Sequence, residues 1–426
     1  MNIKHVYNKG LCTQCGTCNG VCNYDSIYIQ KLRGFKPHVN SDCTKCTQCK
    51  KSCPGEVVDF RTLNKFVFNK TKVNSVYGEV ISTNLTKAKN DSMRKNASSG
   101  GAITALLCYL LDKKEIDGAL VVGMDNNKPY CYIARDKKML VKAQGSKYLP
   151  FPINEGLKEI KQCKGKYAVV GLPCHLHGIR KAQMQDPILK DRIKYCLGLF
   201  CGYAMSSLGT RYLFETVGVN EDDVKSVAYR SGEKPNGFVV ETYDGKRVKI
   251  PKHEYGHITQ LFAPKRCTLC VDQTNELADI SFGDPWSVEG GENCTLVLTR
   301  THKGQVLLDK ASKYVESKPV SNDAIITSQG AMLVYKKKTV FARMNFLKLF
   351  SRQRPFYLGL KQRNNYSNLV YLGTTLLYMN SILMKNDLIR KTVAKMPQSL
   401  VKTYCRLICK LNEDRIYSNR IDLGSF

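Results

Sequence analysis

From residue 97 onward, hydrophobic positions alternate between a pattern typical of helices and one typical of strands. A Ser-Ser-Gly-Gly turn precedes apolar residues spaced three and four apart from Ile103 to Leu111, which predicts a serine-capped helix with one apolar face. Two segments around Asp244-Gly245 predict a hairpin over 238–250. Buried strands are predicted at 116–123, 167–172, 193–200, 278–282 and 295–299. Because helices separate these runs, we expect a mixed α/β fold around a sheet with parallel strands.

The last part of the chain has a different pattern. Apolar residues recur there at steps of three and four, which predicts an amphipathic helix. They are Leu369, Leu372, Leu376, Met379 and Leu383. Residues 336–426 also contain 18 Lys and Arg against 4 Asp and Glu. Three interpretations stay open: a helix packed on the main domain, a helix lying on an anionic membrane, and a membrane-spanning helix.

Apolar periodicity is lost around residues 65–85, where Asn and Lys dominate. This loss, together with the different pattern of the last part of the chain, divides the sequence into four predicted regions. We expect a small cysteine-rich domain at 1–63, a linker at 64–85, an α/β domain at 86–350 and a basic helical tail at 351–426.

The composition narrows the partners of the chain without naming one. Its 426 residues are 43% hydrophobic and 24% charged, which is typical of globular proteins. The formal net charge of +30 indicates anionic partners such as nucleic acid, lipid, phosphorylated ligands or acidic proteins. No nucleic-acid module and no interleaved aromatic and basic stretch is present, so we expect no nucleic acid partner.

Nineteen cysteines favour metal or redox chemistry. The first residues lack the apolar stretch of a secretory signal, so we expect a cytoplasmic protein in which disulfides are rare.

Eight of these cysteines form two quartets with one spacing, Cys12-x2-Cys15-x2-Cys18-x3-Cys22 and Cys43-x2-Cys46-x2-Cys49-x3-Cys53-Pro54. This spacing is typical of bacterial two-cluster ferredoxins, in which the fourth cysteine of each quartet binds the other cluster. One [4Fe-4S] cluster is therefore predicted on Cys12, Cys15, Cys18 and Cys53. The second is predicted on Cys43, Cys46, Cys49 and Cys22. Zinc sites, which use pairs of cysteines, explain a triple-plus-one pattern poorly.

Four further cysteines look placed for a common site. Cys174 and Cys201 each follow a predicted strand, and Cys267-x2-Cys270 supplies a chelating pair. Ligand sites in open α/β sheets form beyond the carboxyl ends of the strands. The sequence therefore indicates a third metal cluster, with buried core cysteines as the alternative.

Seven motifs, taken in chain order, resemble the coenzyme F420 hydrogenase/dehydrogenase beta-subunit family over roughly residues 80–350. The motifs are Ser98-Ser99-Gly100-Gly101, Gln144-Gly145-Ser146-Lys147-Tyr148, Gly171-Leu172-Pro173-Cys174, Phe200-Cys201-Gly202, Tyr229-Arg230, Cys267-x2-Cys270-x-Asp272 and the run from Ala278 through Asp284-Pro285-Trp286. Residues 1–63 are similar to two-cluster ferredoxins, a common companion of this family.

The resemblance implies a flavoprotein that holds FAD and its own [4Fe-4S] cluster. It implies cluster ligands at Cys174, Cys201, Cys267 and Cys270, with Asp272 as a substitute. It also implies flavin contacts from two glycine-containing turns and one strand end. These contacts are Ser98, Ser99, Gly100, Gly101, Gly145, Ser146, Lys147, Tyr148, Asp284 and Trp286.

The residue chemistry is compatible with a flavin. A turn that opens a helix can hold a pyrophosphate on backbone N–H groups, and its glycines allow close approach. Lys147 could add charge near a phosphate, and Trp286 could line the flavin pocket. The alternatives are an ordinary helix cap, a solvated lysine and a core tryptophan. His175 and His177 could transfer protons or make local hydrogen bonds.

These observations predict an iron-sulfur flavoprotein oxidoreductase. Electrons would pass between a deazaflavin-like or nicotinamide coenzyme and a redox partner through FAD and the clusters. The alternative is an iron-sulfur adaptor without its own substrate site. We expect an anionic redox coenzyme and a ferredoxin-like carrier as partners, and peripheral membrane contact through the tail. Neither a Rossmann fingerprint nor a P-loop occurs in the sequence.

Overall fold

The computed structural model describes residues 3–32, 34–231, 236–362 and 365–412. The strands are β1 (Ile27–Leu32), β2 (Gly34–Val39), β3 (Val57–Asp59), β4 (Ser82–Ala88), β5 (Gly118–Asp125), β6 (Lys128–Ala134), β7 (Tyr167–Gly171), β8 (Ile193–Leu199), β9 (Val224–Ser231), β10 (Gly237–Thr242), β11 (Arg247–Pro251), β12 (Ile280–Gly283), β13 (Thr295–Thr299), β14 (Val315–Val320) and β15 (Phe356–Leu358).

Helices surround these strands and make up most of the tail. They are α1 (Ile3–Asn8), α2 (Thr17–Gly20), α3 (Gln48–Ser52), α4 (Phe60–Phe68), α5 (Asp91–Lys95), α6 (Ala102–Asp112), α7 (Lys137–Lys142), α8 (Leu157–Gln162), α9 (Pro173–Gln185), α10 (Pro187–Arg192), α11 (Ser207–Thr216), α12 (Lys252–Tyr255), α13 (Thr259–Phe262), α14 (His302–Lys310), α15 (Asp323–Leu333), α16 (Val340–Leu349), α17 (Asn368–Leu383), α18 (Asp387–Lys395) and α19 (Gln398–Asn412).

A mixed sheet forms the centre of the molecule, with strand order β14-β4-β13-β12-β8-β7-β5-β6. The neighbours β12, β8, β7 and β5 run parallel, whereas the pairs at both edges are antiparallel. Alternate residues of β7 enter opposite cores: Ala168 packs with α6, and Val169 packs with α9. Helices therefore cover both faces, and the predicted mixed α/β class is confirmed.

The cysteine-rich region lies against this domain. Asn154 connects the two, because its backbone N–H donates to Cys15 O at 3.0 Å and its side-chain amide donates to the Thr17 hydroxyl at 2.8 Å. The Arg266 guanidinium donates to Leu11 O and Gly55 O from a fully buried position. In addition, β3 pairs in parallel with β15 of the tail. The first quartet and the segment that follows Cys53 are thus held against the main domain and the tail.

A smaller antiparallel sheet, β11-β10-β9, carries the predicted hairpin, with Gly245 at a φ of 87° in its turn. Its core includes residues of α11 and of the tail helices α18 and α19. The tail helices therefore pack on the main domain. Residues 64–85, predicted as a linker, contain the end of α4, the start of β4 and the buried Val76.

The predicted serine cap of α6 is wrong. The N-cap of α6 is Gly101, at a φ of 78°, and no serine side chain caps this helix. The apolar stripe of α17 does not face the domain, because Leu372 and Met379 are each 49% exposed, while Gly373 and Thr374 are buried. Among the described residues, no helix is long and apolar enough to cross a membrane.

Candidate cluster and cofactor sites

Each quartet begins with a loop that winds its cysteines around a common point. Gln14 and Gly16 adopt left-handed backbone conformations, with φ of 59° and 83°. Lys45 and Thr47, at the corresponding places of the second quartet, have φ of 57° and 67°. Non-glycine residues rarely adopt these angles, so their recurrence at matching positions shows that the sequence repeat is also a structural repeat.

The first predicted ligand set, called set I, lines one cavity: Cys12, Cys15, Cys18 and Cys53. Burial and the neighbouring thiols raise the pKa of Cys12 to about 12. Burial and Cys15 raise the pKa of Cys53 to about 12 as well. Thiols that cannot ionise alone, yet surround a shared cavity, suit a cationic metal cluster that would deprotonate them.

The second predicted set, called set II, lies nearer the surface. Cys49 is half-buried, and burial together with the charges of Cys46, Cys22 and Cys43 raises its pKa to about 11. These three neighbours are the other members of the predicted set. Cys46 is exposed.

The third predicted set, called set III, lines a second cavity: Cys174, Cys201, Cys267 and Cys270. Two of its members follow the carboxyl ends of β7 and β8, as expected for an open sheet. Burial raises the pKa of Cys201 to about 12. The structure therefore gathers all four cysteines, although they span almost 100 positions in the sequence.

Asp272 does not line this cavity. Its carboxylate accepts hydrogen bonds from the His177 ring at 2.8 Å and from the backbone N–H groups of Asn275 and Glu276. Although burial alone would raise the pKa of Asp272, these hydrogen bonds hold it below the usual range. The carboxylate is thus committed elsewhere, and the geometry favours four thiol ligands.

Lysine side chains lie beside set III in a π-helical turn, Val334–Lys338. Lys336 is 1% exposed, and its ammonium donates to Cys201 O at 2.6 Å and to Asp272 O at 2.8 Å. Lys337 is paired with Glu276. The three lysines of this turn contribute to the charge of the basic tail in the sequence, but the structure buries them. Turns of π-helix often occur at functional sites.

The three sets form a row. Cys49 of set II packs in one apolar cluster with Cys18 of set I, and Cys12 of set I lines the cavity of set III. Set I therefore lies between sets II and III. Among the described residues, no group of three or more His, Cys, Asp or Glu side chains is placed to hold a single metal ion.

Residues of the predicted flavin site meet beside set III. Ser146 donates its backbone N–H to the Ser98 hydroxyl at 2.9 Å, and Asn236 donates to Ser98 O at 3.3 Å. Ser99 donates to Cys294 O at 2.7 Å. Tyr148 lies only two positions before Pro150, which lines the cavity of set III. The two glycine turns are thus adjacent in the fold, although they lie more than 40 positions apart in the sequence.

Arg230 joins the end of β12 to this group. Its guanidinium donates to the Asp284 carboxylate at 2.5 Å and lies 5.6 Å from the Trp286 ring centre. Trp286 is 49% exposed, so it is not a core residue.

The glycines of the two predicted flavin turns differ in the space around them. Gly100 is packed so closely that a Cβ would lie 2.6 Å from Thr86 O, whereas a Cβ at Gly145 would meet nothing within 4 Å.

Lys252 was not predicted from the sequence. Its ammonium lies 4.4 Å from the ring centre of Tyr148 and 4.5 Å from that of Tyr255. Burial and the nearby Arg230 lower its pKa to about 8. No motif marks Lys252, since only the fold brings it to Tyr148. Arg230, Lys252 and Asn236 supply cationic and amide donors that fit an anionic flavin nucleotide.

Three other predicted groups serve local structure. Lys147 donates to Ala143 O at 2.6 Å and to Gln144 O at 3.0 Å, just after α7 ends. His175 accepts from the Leu172 N–H, and its other ring nitrogen lies 3.0 Å from Phe151 O. Burial lowers the pKa of His175 to about 4. His177 is held by Asp272. The structure therefore favours local hydrogen bonds over proton transfer for both histidines.

Comparison with known proteins decides the family. Residues 85–158 match the family model described as "Coenzyme F420 hydrogenase/dehydrogenase, beta subunit N-term", and residues 164–323 match the model for the C terminus of the same beta subunit. The chain belongs to this family. The predicted resemblance is therefore confirmed for residues 85–323, which include set III and both flavin turns.

Relatives within the family are oxidoreductase subunits. The chain is 32% identical to coenzyme F420 hydrogenase subunit beta of Methanothermobacter thermautotrophicus, covering 57% of this chain and 85% of that protein. It is 27% identical to the coenzyme F420-dependent sulfite reductase of Methanocaldococcus jannaschii, covering 71% of this chain but only 46% of that protein. The predicted oxidoreductase class is confirmed at the family level.

A solved structure supports the fold. A chain of the F420-reducing [NiFe] hydrogenase complex from Methanosarcina barkeri aligns with a TM-score of 0.53 and 25% identity, covering 65% of this chain and 96% of that one.

Proposed function

We propose that this protein is an iron-sulfur flavoprotein that exchanges electrons between a two-electron coenzyme and a one-electron carrier. The coenzyme would be either a deazaflavin such as F420 or a nicotinamide. The names of the relatives support the deazaflavin. The main support is the row of cysteine sets that starts beside the flavin motifs and ends at the surface.

The residues of the chain have distinct roles in this proposal. Sets I, II and III would hold three [4Fe-4S] clusters, and Ser98–Gly101, Gly145–Tyr148 and Arg230 would hold FAD. A bound flavin supplies exchange between two-electron and one-electron chemistry, and bound clusters carry single electrons. The protein fixes the order of these groups and, through Lys252 and Arg230, attracts anionic ligands.

Anaerobic reduction of the full chain tests this function. We expect reduced F420, NADH or NADPH to bleach the flavin absorption first and the cluster absorption afterwards. Arg230→Met should slow this bleaching, while the exposed Lys246→Met serves as the control. If dithionite reduces the clusters but none of the three donors bleaches either chromophore, the protein is an electron-transfer adaptor and the proposed oxidoreductase activity is wrong.

A second proposal concerns the tail. We propose that the outward faces of α17 and α19 rest on an anionic membrane, because Leu372, Met379 and Leu383 on α17 and Leu400 and Leu407 on α19 are exposed. The described residues 365–412 contain seven Lys and Arg, and Asp387 is the only carboxylate among them. Apolar residues beside lysines and arginines are typical of helices that lie on anionic lipid.

Vesicle flotation tests this contact. We expect the full chain to float with vesicles rich in phosphatidylglycerol and not with phosphatidylcholine vesicles. The triple variant L372S/M379S/L383S should lose this binding while keeping its iron. Equal behaviour of the variant and the wild type, or flotation with neither kind of vesicle, would contradict the proposal.

A further inference from the structure

The two cysteine loops share a backbone conformation but have different surroundings. In the first loop, a Cβ at Gly16 would lie 2.5 Å from Pro152 O, and Cys15 O accepts a hydrogen bond from the Asn154 N–H. Thr17 is fully buried. The main domain therefore covers set I and separates it from solvent.

The second loop has no such cover. Its residues Thr44, Lys45, Cys46 and Thr47 are all exposed, and Cys46 is the one exposed thiol among the twelve predicted cluster ligands. Set II is also at the end of the row, since set I separates it from set III. Electrons that travel along the row reach the surface at this loop.

The charge around the loop has one dominant sign. Residues 41–51 contain Lys45, Lys50 and Lys51 but only one carboxylate, Asp42. Within the described part of the chain, no ion pair involves these three lysines, whereas Lys158 and Lys161 nearby are paired with Asp25 and Asp186. The loop thus presents unneutralised ammonium groups beside its exposed thiol.

We propose that residues 41–51 form the docking surface for an acidic one-electron carrier protein. The inference rests on the proposed function, because it needs a cluster on set II. In each encounter one electron leaves the reduced cluster on set II and reduces the oxidised carrier, or the same exchange runs in reverse. Complementary charge accelerates such encounters and orients the partner. A second copy of this chain is not the occupant, because its net charge is also +30 and the copies repel each other.

Stopped-flow kinetics of the holoprotein tests the surface. The full chain is reduced with dithionite, freed of excess reductant and mixed with an oxidised acidic bacterial ferredoxin. We expect K45E/K51E to lower the bimolecular rate about tenfold or more at low ionic strength. The difference should shrink at about 0.5 M salt, because salt screens exposed charges.

The matched control is K310E/K313E, which makes the same charge change on exposed lysines at the end of α14. We expect it to retain a rate close to that of the wild type. Reduction of methyl viologen, a cationic acceptor, should not be slowed by K45E/K51E. If K45E/K51E slows ferredoxin reduction no more than K310E/K313E does, the surface is wrong, although full iron and flavin content would leave the proposed function standing. A holoprotein without a cluster on set II would overturn both.

Discussion

At the scale of single residues, Lys336 is the most informative side chain. A buried ammonium is costly unless an anion compensates it. The Lys336 ammonium donates hydrogen bonds to two backbone carbonyls. Burial alone would lower its pKa, but the charges of Cys270, Cys201 and Asp272 raise the pKa above its usual value. We interpret Lys336 as an internal counter-ion for the net negative charge that a cluster and its four thiolates would place at set III.

This interpretation predicts a redox shift. Replacing the ammonium in K336M should lower the midpoint potential of one cluster, because the reduced form carries more negative charge. We expect a shift on the order of 60 mV, which corresponds to a factor of ten for one electron. An EPR-monitored titration measures it, and K336R should stay near the wild-type potential. An unchanged potential in K336M with full iron content would contradict the assigned role.

Lys252 predicts a dependence of coenzyme or flavin binding on pH. Because burial and Arg230 lower its pKa to about 8, the ammonium is charged below that pH and neutral above it. Affinity for an anionic ligand should therefore fall as the pH rises through 8. Calorimetry from about pH 6.5 to about pH 9.5 measures this, and K252R should remove the fall because a guanidinium stays charged. The same pH profile in K252R and wild type would exclude Lys252 as the cause.

At the scale of elements, the tail helices are structural parts of the main domain. Arg390 of α18 is 2% exposed and donates two hydrogen bonds to Glu215 of α11, at 2.8 and 3.1 Å. The Nη1 atom of Arg390 donates to the Asp387 carboxylate at 2.6 Å. This contact fixes α18 on α11.

Removing that contact should destabilise the protein. We expect R390A to lower the free energy of unfolding by about 3 kcal/mol, because Glu215 would lose its partner in a partly buried site. The neighbouring exposed residue gives the control, and K391A should change stability by less than about 0.5 kcal/mol. Urea unfolding followed by circular dichroism compares the two. Equal midpoints for R390A and K391A would show that the tail does not depend on this pair.

Five of the eight strands of the central sheet could be predicted from the sequence, because short buried apolar runs report burial directly. The strand at 295–299 agrees with β13 at both ends, and the hairpin turn occurs at Asp244-Gly245. The face of α17 could not be predicted, because its partner α19 approaches closely at Gly373, where a Cβ would lie 2.7 Å from Leu411. The packed face of α17 thus combines Gly373 and Thr374 with Val370 and Leu377, while Leu372, Met379 and Leu383 lie outside it.

The candidate sites also divide into parts that could be predicted from the sequence and parts that could not. Sets I and II follow from local spacing, since a two-residue gap brings neighbouring cysteines to one point. The strand ends and the chelating pair indicated the grouping of set III, and the family resemblance then implied its ligand set. The structure shows why spacing alone left an alternative open, because its members come from the separate ends of β7 and β8 and from a later loop. Lys252 and Lys336 carry no sequence signal, because their proximity to these sites arises only in the folded chain.

At the scale of the whole molecule, the basic residues that give the net charge of +30 have different roles in different parts of the fold. Buried cations compensate set III, exposed lysines surround set II, and basic helices form the tail. The fold aligns the flavin motifs and the three cysteine sets from the interior to the surface. The central claim is that these three sets each hold a [4Fe-4S] cluster.

Iron analysis of the anaerobically purified full chain tests that claim most directly. We predict about 12 iron atoms per chain, four for each set. The variant C174S/C201S should retain about 8, and C131S/C163S, which changes two cysteines outside all sets, should retain about 12. About 8 iron atoms in the wild type, or no loss of iron in C174S/C201S, would contradict the account.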